Sequence, residues 1–170
     1  LRAMEYVDSI PDVIAISGWV KGFHSVNDGI EGGYYGEGTD TIVDRTQNFL
    51  GQNVRVFSSS HERSHILGAY GMSPFPQGQP CYVLIWEGSL GCFYRVDEKV
   101  NVQKIGSVMA DPGNKYAFLY ALADPSFPIH KGFFRYSDAG KLMALVSYGK
   151  PNSASDSDKE LIEFILSQKA

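Results

Sequence analysis

Two histidines stand four residues apart, His61 and His65, in a run that begins Ser59-Ser60-His61-Glu62-Arg63-Ser64-His65 and ends at Tyr70. On an α-helix, residues i and i+4 share one face, so both imidazoles can reach the same small object. Neutral imidazole is the commonest metal-binding side chain, which makes a divalent ion the first candidate for that object. The alternative is two polar rings at the start of a helix with no ligand. Protonated rings are mildly unfavourable there because of the helix dipole, whereas neutral, coordinating rings avoid the conflict. A metal site needs a third ligand. Glu87 is the candidate, because it ends an apolar run suited to a buried strand and Gly88 leaves its carboxylate uncrowded. That strand is expected to lie beside the strand at 54–57. A solvated strand end is the other reading of Glu87.

A second feature is the run Asp138-Ala139-Gly140-Lys141. Read as the opening of a helix, it would present backbone N–H groups and the Lys141 ammonium to an anion. It lacks the upstream glycine and the following hydroxyl of a phosphate loop of the G-x-x-x-x-G-K-[ST] kind. Gly88 and Lys141 are thus the candidate substrate or nucleotide contacts. No Ser-His-Asp or Cys-His set can be argued from spacing. Cys81 and Cys92 both fall in strand-like apolar runs and read as buried free thiols, with a reducing cytoplasm as the expected compartment.

The elements that position these residues follow from periodicity and turn chemistry. Ser59 with Glu62 three residues later has the capping-box pattern and predicts a helix through Tyr70, ended by Gly71 and Pro74. The segments 13–20, 53–57 and 80–86 read as strands. Segments 91–96 and 100–105 read as a hairpin around Asp97-Glu98. Segments 1–9, 41–50, 116–123, 141–147 and 158–169 read as helices, the second closed by Gly51. Glycine-rich 22–40 reads as a long loop or weak hairpin around Gly32-Gly33. Segments 124–139 and 153–157 read as a loop and a polar linker. The mixture predicts an α/β domain, with the histidine helix directly following a strand, where α/β sheets place their sites.

Composition sets the outer bounds. The chain has 170 residues, 44 % hydrophobic and 20 % charged, with a net charge of −4. These values describe a globular chain rather than a disordered one. No basic block suggests a nucleic-acid partner, and no apolar run is long enough to span a membrane. The opening Leu1-Arg2-Ala3-Met4 reads as the middle of an amphipathic helix, as though cut from a longer protein.

Taken together, these segments resemble the O-carbamoyltransferases, the nodulation-factor and antibiotic-tailoring enzymes. The run 140–151, Gly-Lys-Leu-Met-Ala-Leu-Val-Ser-Tyr-Gly-Lys-Pro, looks like that family's G-K-x-M-G-L-A-x-Y-G-x-P signature. The His61 segment looks like its H-H-x-x-H-A-x-x-A-[FY] motif, followed by a matching Ser73-Pro74-Phe75. The apolar strand 83–88 resembles the family's strand ending in Asp-Gly, and Phe118-Leu119-Tyr120 resembles its L-L-Y-S helix. The order agrees across about residues 10–151.

The resemblance implies a ribonuclease H-like, actin-like ATPase fold, of which residues 1–170 would be a single partial domain. It implies an activity that moves a carbamoyl group from carbamoyl phosphate to a substrate hydroxyl with ATP, through a carbamoyl-adenylate. It implies iron or zinc held by His61 and His65, with Glu87 in the place of the family Asp. Partners implied are a small-molecule hydroxyl acceptor and an adenylate-forming domain of the same protein, and a homodimer is a further expectation. The phosphate hairpin would lie before Leu1 and the remaining nucleotide and metal-binding segments after Ala170, so the isolated chain is expected to be inactive. Glu62, Glu87, Ile66 and Ala144 depart from the family pattern. The first three motivate the alternative, a divergent non-catalytic binding or regulatory relative. The related branch that modifies tRNA with threonylcarbamoyl fits the run 140–151 less well.

Overall fold

The computed structural model describes residues 5–6, 9–19, 32–124, 126, 136–150 and 152–167. It is a mixed α/β structure, as expected. In chain order it contains β1 (Val13–Ser17), β2 (Ile42–Phe49), β3 (Gln52–Ser59), α1 (His61–Gly71), β4 (Cys81–Glu87), β5 (Leu90–Val96), β6 (Val102–Ser107), α2 (Pro112–Ala123), α3 (Tyr136–Val146) and α4 (Asp156–Ser167). The strands form two three-stranded sheets, ordered β1-β3-β2 and β4-β5-β6. The chain divides into two compact units. The first comprises Leu1–Val83 with Tyr94–Ile105, and the second Leu84–Phe93 with Gly106–Ala170.

In the first unit β3 is the central strand, parallel to β1 and antiparallel to β2. Its alternation buries Val54 and Val56, and Ile66, Tyr70, Val83, Tyr94 and Val96 complete the buried apolar set. Both edges of β3 are taken by β1 and β2, so β4 pairs in the other sheet and not beside 54–57 as expected. Segment 41–50 is a strand, not a helix. Leu50 and Gly51 both have positive φ (52° and 86°), the requirement of a two-residue type I′ hairpin turn, which reverses β2 into β3. Gly51 therefore belongs to a hairpin rather than to a helix end. The β-branched residues of Ile42-Val43-Asp44-Arg45-Thr46 suit the pleat, and Arg55 grips Asp44 across the strands through Nε and Nη2, at 2.9 and 2.6 Å.

In the second unit, α2 packs on α3. The buried side chains include Ile85, Leu90, Cys92, Ala117 and Ala121. Lys115 is buried and donates to the carbonyl of Leu166, 2.7 Å away, so it caps the last turn of α4. At the other end of α4, Ser155 Oγ accepts from the Asp158 N–H (3.2 Å) and the Asp158 carboxylate accepts from the Ser155 N–H (2.9 Å). This reciprocal pair is a capping box. Cys81 and Cys92 are free thiols, and only Cys92 is fully buried.

The hairpin around Asp97-Glu98 is present as β5 and β6, with the Asp97 carboxylate accepting from the N–H groups of Lys99 and Asn101. Apart from Glu5, Tyr6 and Ser9, the expected helix at 1–9 falls outside the described residues, as do residues 22–31 of the expected loop 22–40, most of the expected loop 124–139 and the end of the last helix at 168–169. Among the described residues, no helix is long and apolar enough to cross a membrane.

Candidate metal centre

The histidine helix begins where β3 ends, and the reason is local. Ser60 is the N-cap, its Oγ accepting from the Arg63 N–H at 3.1 Å. The capping box expected from Ser59 and Glu62 does not form. Ser59 is still the last residue of β3, and its buried hydroxyl makes no hydrogen bond. Glu62 sits one position too early to reach back to the cap. The first two helical N–H groups are instead satisfied from outside the helix: His61 donates to the carbonyl of Gly33 and Glu62 to that of Tyr34, each at 3.0 Å. Four N–H groups at a helix start lack intrahelical partners, and here loop carbonyls supply two of them.

These bonds place the His61 ring in an aromatic setting. Tyr34 stacks on it with centroids 4.7 Å apart and planes 18° from parallel. Trp19 meets it edge-on at 4.7 Å and 88°, and also packs edge-on against Tyr34 at 5.5 Å. His65, one turn on, lies 4.5 Å from His61 ring to ring. His61 is 8 % exposed, while His65 is open to solvent.

Glu87 ends β4, and Gly88 follows with φ of 47° as the first residue of the turn into β5. The turn is held by α2, whose Gly113 N–H donates to the Gly88 carbonyl at 2.9 Å. The fit is close enough that a Cβ on Gly113 would lie 2.7 Å from the Gly88 nitrogen. His61 and His65 share one face of α1 in the first unit, and Glu87 ends β4 in the second. Two imidazoles and a carboxylate are a donor set that suits zinc or non-haem iron.

Lys141 is placed differently from expectation. Helix α3 begins at Tyr136, so Gly140 lies inside it and does not open it. The Lys141 ammonium pairs with the fully buried Asp138 at 3.0 Å and rests over the Tyr120 ring at 5.2 Å. The run 138–141 therefore knits α3 to itself and to α2.

Spacing alone did not single out Glu62. It is 2 % exposed, and both carboxylate oxygens are engaged, one by the Tyr94 hydroxyl and the other by the Gly36 N–H at 2.7 Å. The signal in the sequence was an acid between two candidate ligands, on the first turn of a helix, where carboxylates are favoured.

Comparison with known proteins fixes the family. The family model described as carbamoyltransferase N-terminus matches residues 33–166. The chain belongs to the carbamoyltransferase family. It is 42 % identical over 172 aligned residues to the 3′-hydroxymethylcephem-O-carbamoyltransferase of Streptomyces clavuligerus, and 40 % over 168 to that of Amycolatopsis lactamdurans. Each match covers 99 % of the chain but 32 % of the relative, so the chain spans about a third of these carbamoyltransferases. Nodulation protein U of Rhizobium fredii is 34 % identical over 100 residues, 56 % of the chain and 17 % of that protein. No solved structure matches.

Proposed function

We propose that the complete protein is an O-carbamoyltransferase, and that His61, His65 and Glu87 hold a zinc or iron ion in it. The observation that supports the metal reading is the pairing of the His61 and His65 rings, 4.5 Å apart on one face of α1, two ligands of the right chemistry. The family match to residues 33–166 supports the transferase reading. The actin-like ATPase fold, the use of carbamoyl phosphate and ATP, and a cytoplasmic location belong to this proposal. So do a second, adenylate-forming domain and dimerisation.

In the proposed reaction the acceptor hydroxyl attacks the carbamoyl carbon of a carbamoyl-adenylate. A C–O bond forms to the acceptor, the bond to the adenylate oxygen breaks, the hydroxyl proton is lost, and AMP leaves. A bound ion would supply positive charge that polarises the mixed anhydride. His61 and His65 would contribute neutral ring nitrogens and Glu87 one negative charge, leaving a divalent site net positive. Trp19 and Tyr34 flank the His61 ring and restrict water on that side. The acceptor to try first is a 3′-hydroxymethylcephem, the substrate named for the two relatives of 40 % identity or more.

The non-catalytic alternative drew on Glu62, Glu87 and Ile66. Glu62 is engaged in the interior and Ile66 is part of the buried core, so neither of these two argues for it. The test is to incubate the complete protein with carbamoyl phosphate, ATP, an added metal ion and the cephem alcohol. A carbamate ester detected by mass spectrometry is expected. Absence of product with both iron and zinc, across cephem, sugar and other alcohol acceptors, would overturn the transferase reading. Metal analysis should find about one ion per chain in the parent and none in His65→Ala.

A further inference from the structure

Glu62 is a buried acid that the proposed chemistry does not use. Its carboxylate takes partners from three separate pieces of chain within the first unit: the Gly36 N–H on the segment before β2, the Tyr94 hydroxyl on β5, and the Lys104 ammonium on β6 at 3.6 Å. Lys104 also lies over the Tyr94 ring at 5.9 Å. A carboxylate out of water is tolerated only when its oxygens are satisfied in this way. The side chain is thus a fixed point between the sheet and the segment 33–37.

That segment is attached to the first turn of α1 at successive residues. Gly33 and Tyr34 accept from His61 and Glu62, Gly36 accepts from the Ser60 hydroxyl, and Glu37 accepts from Arg63 Nη1 at 2.8 Å. At Gly36 the segment donates to a side chain of α1, and the acceptor is Glu62. Between these ties sits Tyr34, whose ring covers the face of His61. An imidazole packed against an aromatic face, with Trp19 at its edge, cannot turn about its Cβ–Cγ bond without breaking both contacts.

We propose that Glu62 is the positioning residue for His61: its carboxylate fixes the segment 33–37, and Tyr34 on that segment sets the orientation of the His61 ring. The consequence for an ion rests on the proposed metal site, while the ring placement does not. Groups that orient metal ligands without touching the metal typically change affinity about 10–100-fold when removed.

The test uses the complete protein with ¹³C-labelled histidine, the His61 signal being assigned by its loss in His61→Ala. Tyr34→Leu removes the stacked ring and sets the scale of the shift. Glu62→Ala should move the His61 signal in the same direction, and the double variant should move it little further, since both changes remove the same cause. Additive shifts, or an unmoved signal in Glu62→Ala, would overturn the proposal. If Glu62→Ala does not fold, Glu62→Met takes its place in the same cycle under the same criteria, because it keeps most of the volume and removes the acceptor for Gly36.

Cobalt(II) titration adds the metal readout. Glu62→Ala should bind about 10–100-fold more weakly, with an altered visible band, and His65→Ala should not bind. A parent protein that takes no cobalt would sink the metal reading and leave the histidine signals to decide the role of Glu62.

Discussion

Replacing Gly113 by alanine should destabilise the protein, against what helix propensity alone implies. Gly113 is the second residue of α2 and its φ is not positive, so the backbone accepts alanine. In open space the exchange stabilises by about 0.4–1 kcal/mol through lost freedom of the unfolded chain. Here the new Cβ would stand 2.7, 2.9 and 3.1 Å from the nitrogen, Cα and carbonyl oxygen of Gly88. These are backbone atoms with no rotamer to change, so the β4–β5 turn must move. Overpacking of this kind costs typically about 1–3 kcal/mol. The clash therefore outweighs the propensity gain and leaves a net loss on the order of 1–2 kcal/mol.

Gly140 supplies the control. It lies exposed inside α3, and a Cβ there meets nothing within 4 Å. Gly140→Ala should stabilise by about 0.4–1 kcal/mol. Urea unfolding of parent and both variants, with midpoints compared at a common slope, reads the two signs directly. The turn that Gly113 presses on carries Glu87, so Gly113→Ala should also weaken cobalt binding. A Gly113→Ala protein as stable as the parent would refute the argument that backbone contact fixes this turn.

Two further outcomes follow from local geometry. Leu50 holds a left-handed conformation in a turn that favours Asn-Gly, so Leu50→Asn should raise the urea midpoint by the equivalent of about 1 kcal/mol; no change or a loss would contradict the turn assignment. Hydrogen bonds from Ser155, side chain first and then backbone, hold the Asp158 carboxyl below its ordinary pKa. A depressed acid stabilises the fold above its unfolded pKa and loses that contribution as pH falls through the folded value. Helical hydrogen-exchange protection at the start of α4 should therefore weaken on acidification below about pH 4, and Asp158→Asn should remove that dependence.

Much of this was legible in the sequence, and the failures share a cause. The pattern Ser-x-x-acid occurs at Ser59–Glu62 and again at 155–158, and only the second forms a capping box. The first was displaced because β3 runs on through Ser59 and because Tyr94 and Gly36, remote in sequence, are stronger claims on Glu62. At 41–50 the apolar spacing was ambiguous, and a leucine in a turn position that normally takes Asn or Gly concealed the hairpin. Lys141 was misplaced because α3 extends a turn upstream, where Asp138 becomes its buried partner. By contrast, the span of α1 and the ends of β4 needed only local signals read in order.

The way α1 begins also bears on the order of folding. From Ser64 onward the helix supplies its own hydrogen bonds, the Ser64 N–H reaching Ser60 at 2.9 Å. The turn carrying His61 does not. Its acceptors arrive only when a segment some 28 positions earlier has docked, and closing a loop of that size costs chain entropy before any contact repays it. The body of α1 can therefore form early, while its first turn closes late and opens first in native fluctuations. The part of the helix that bears His61, a proposed ligand, is thus the part whose persistence depends on a distant stretch of chain, and an ion bound there would slow that opening.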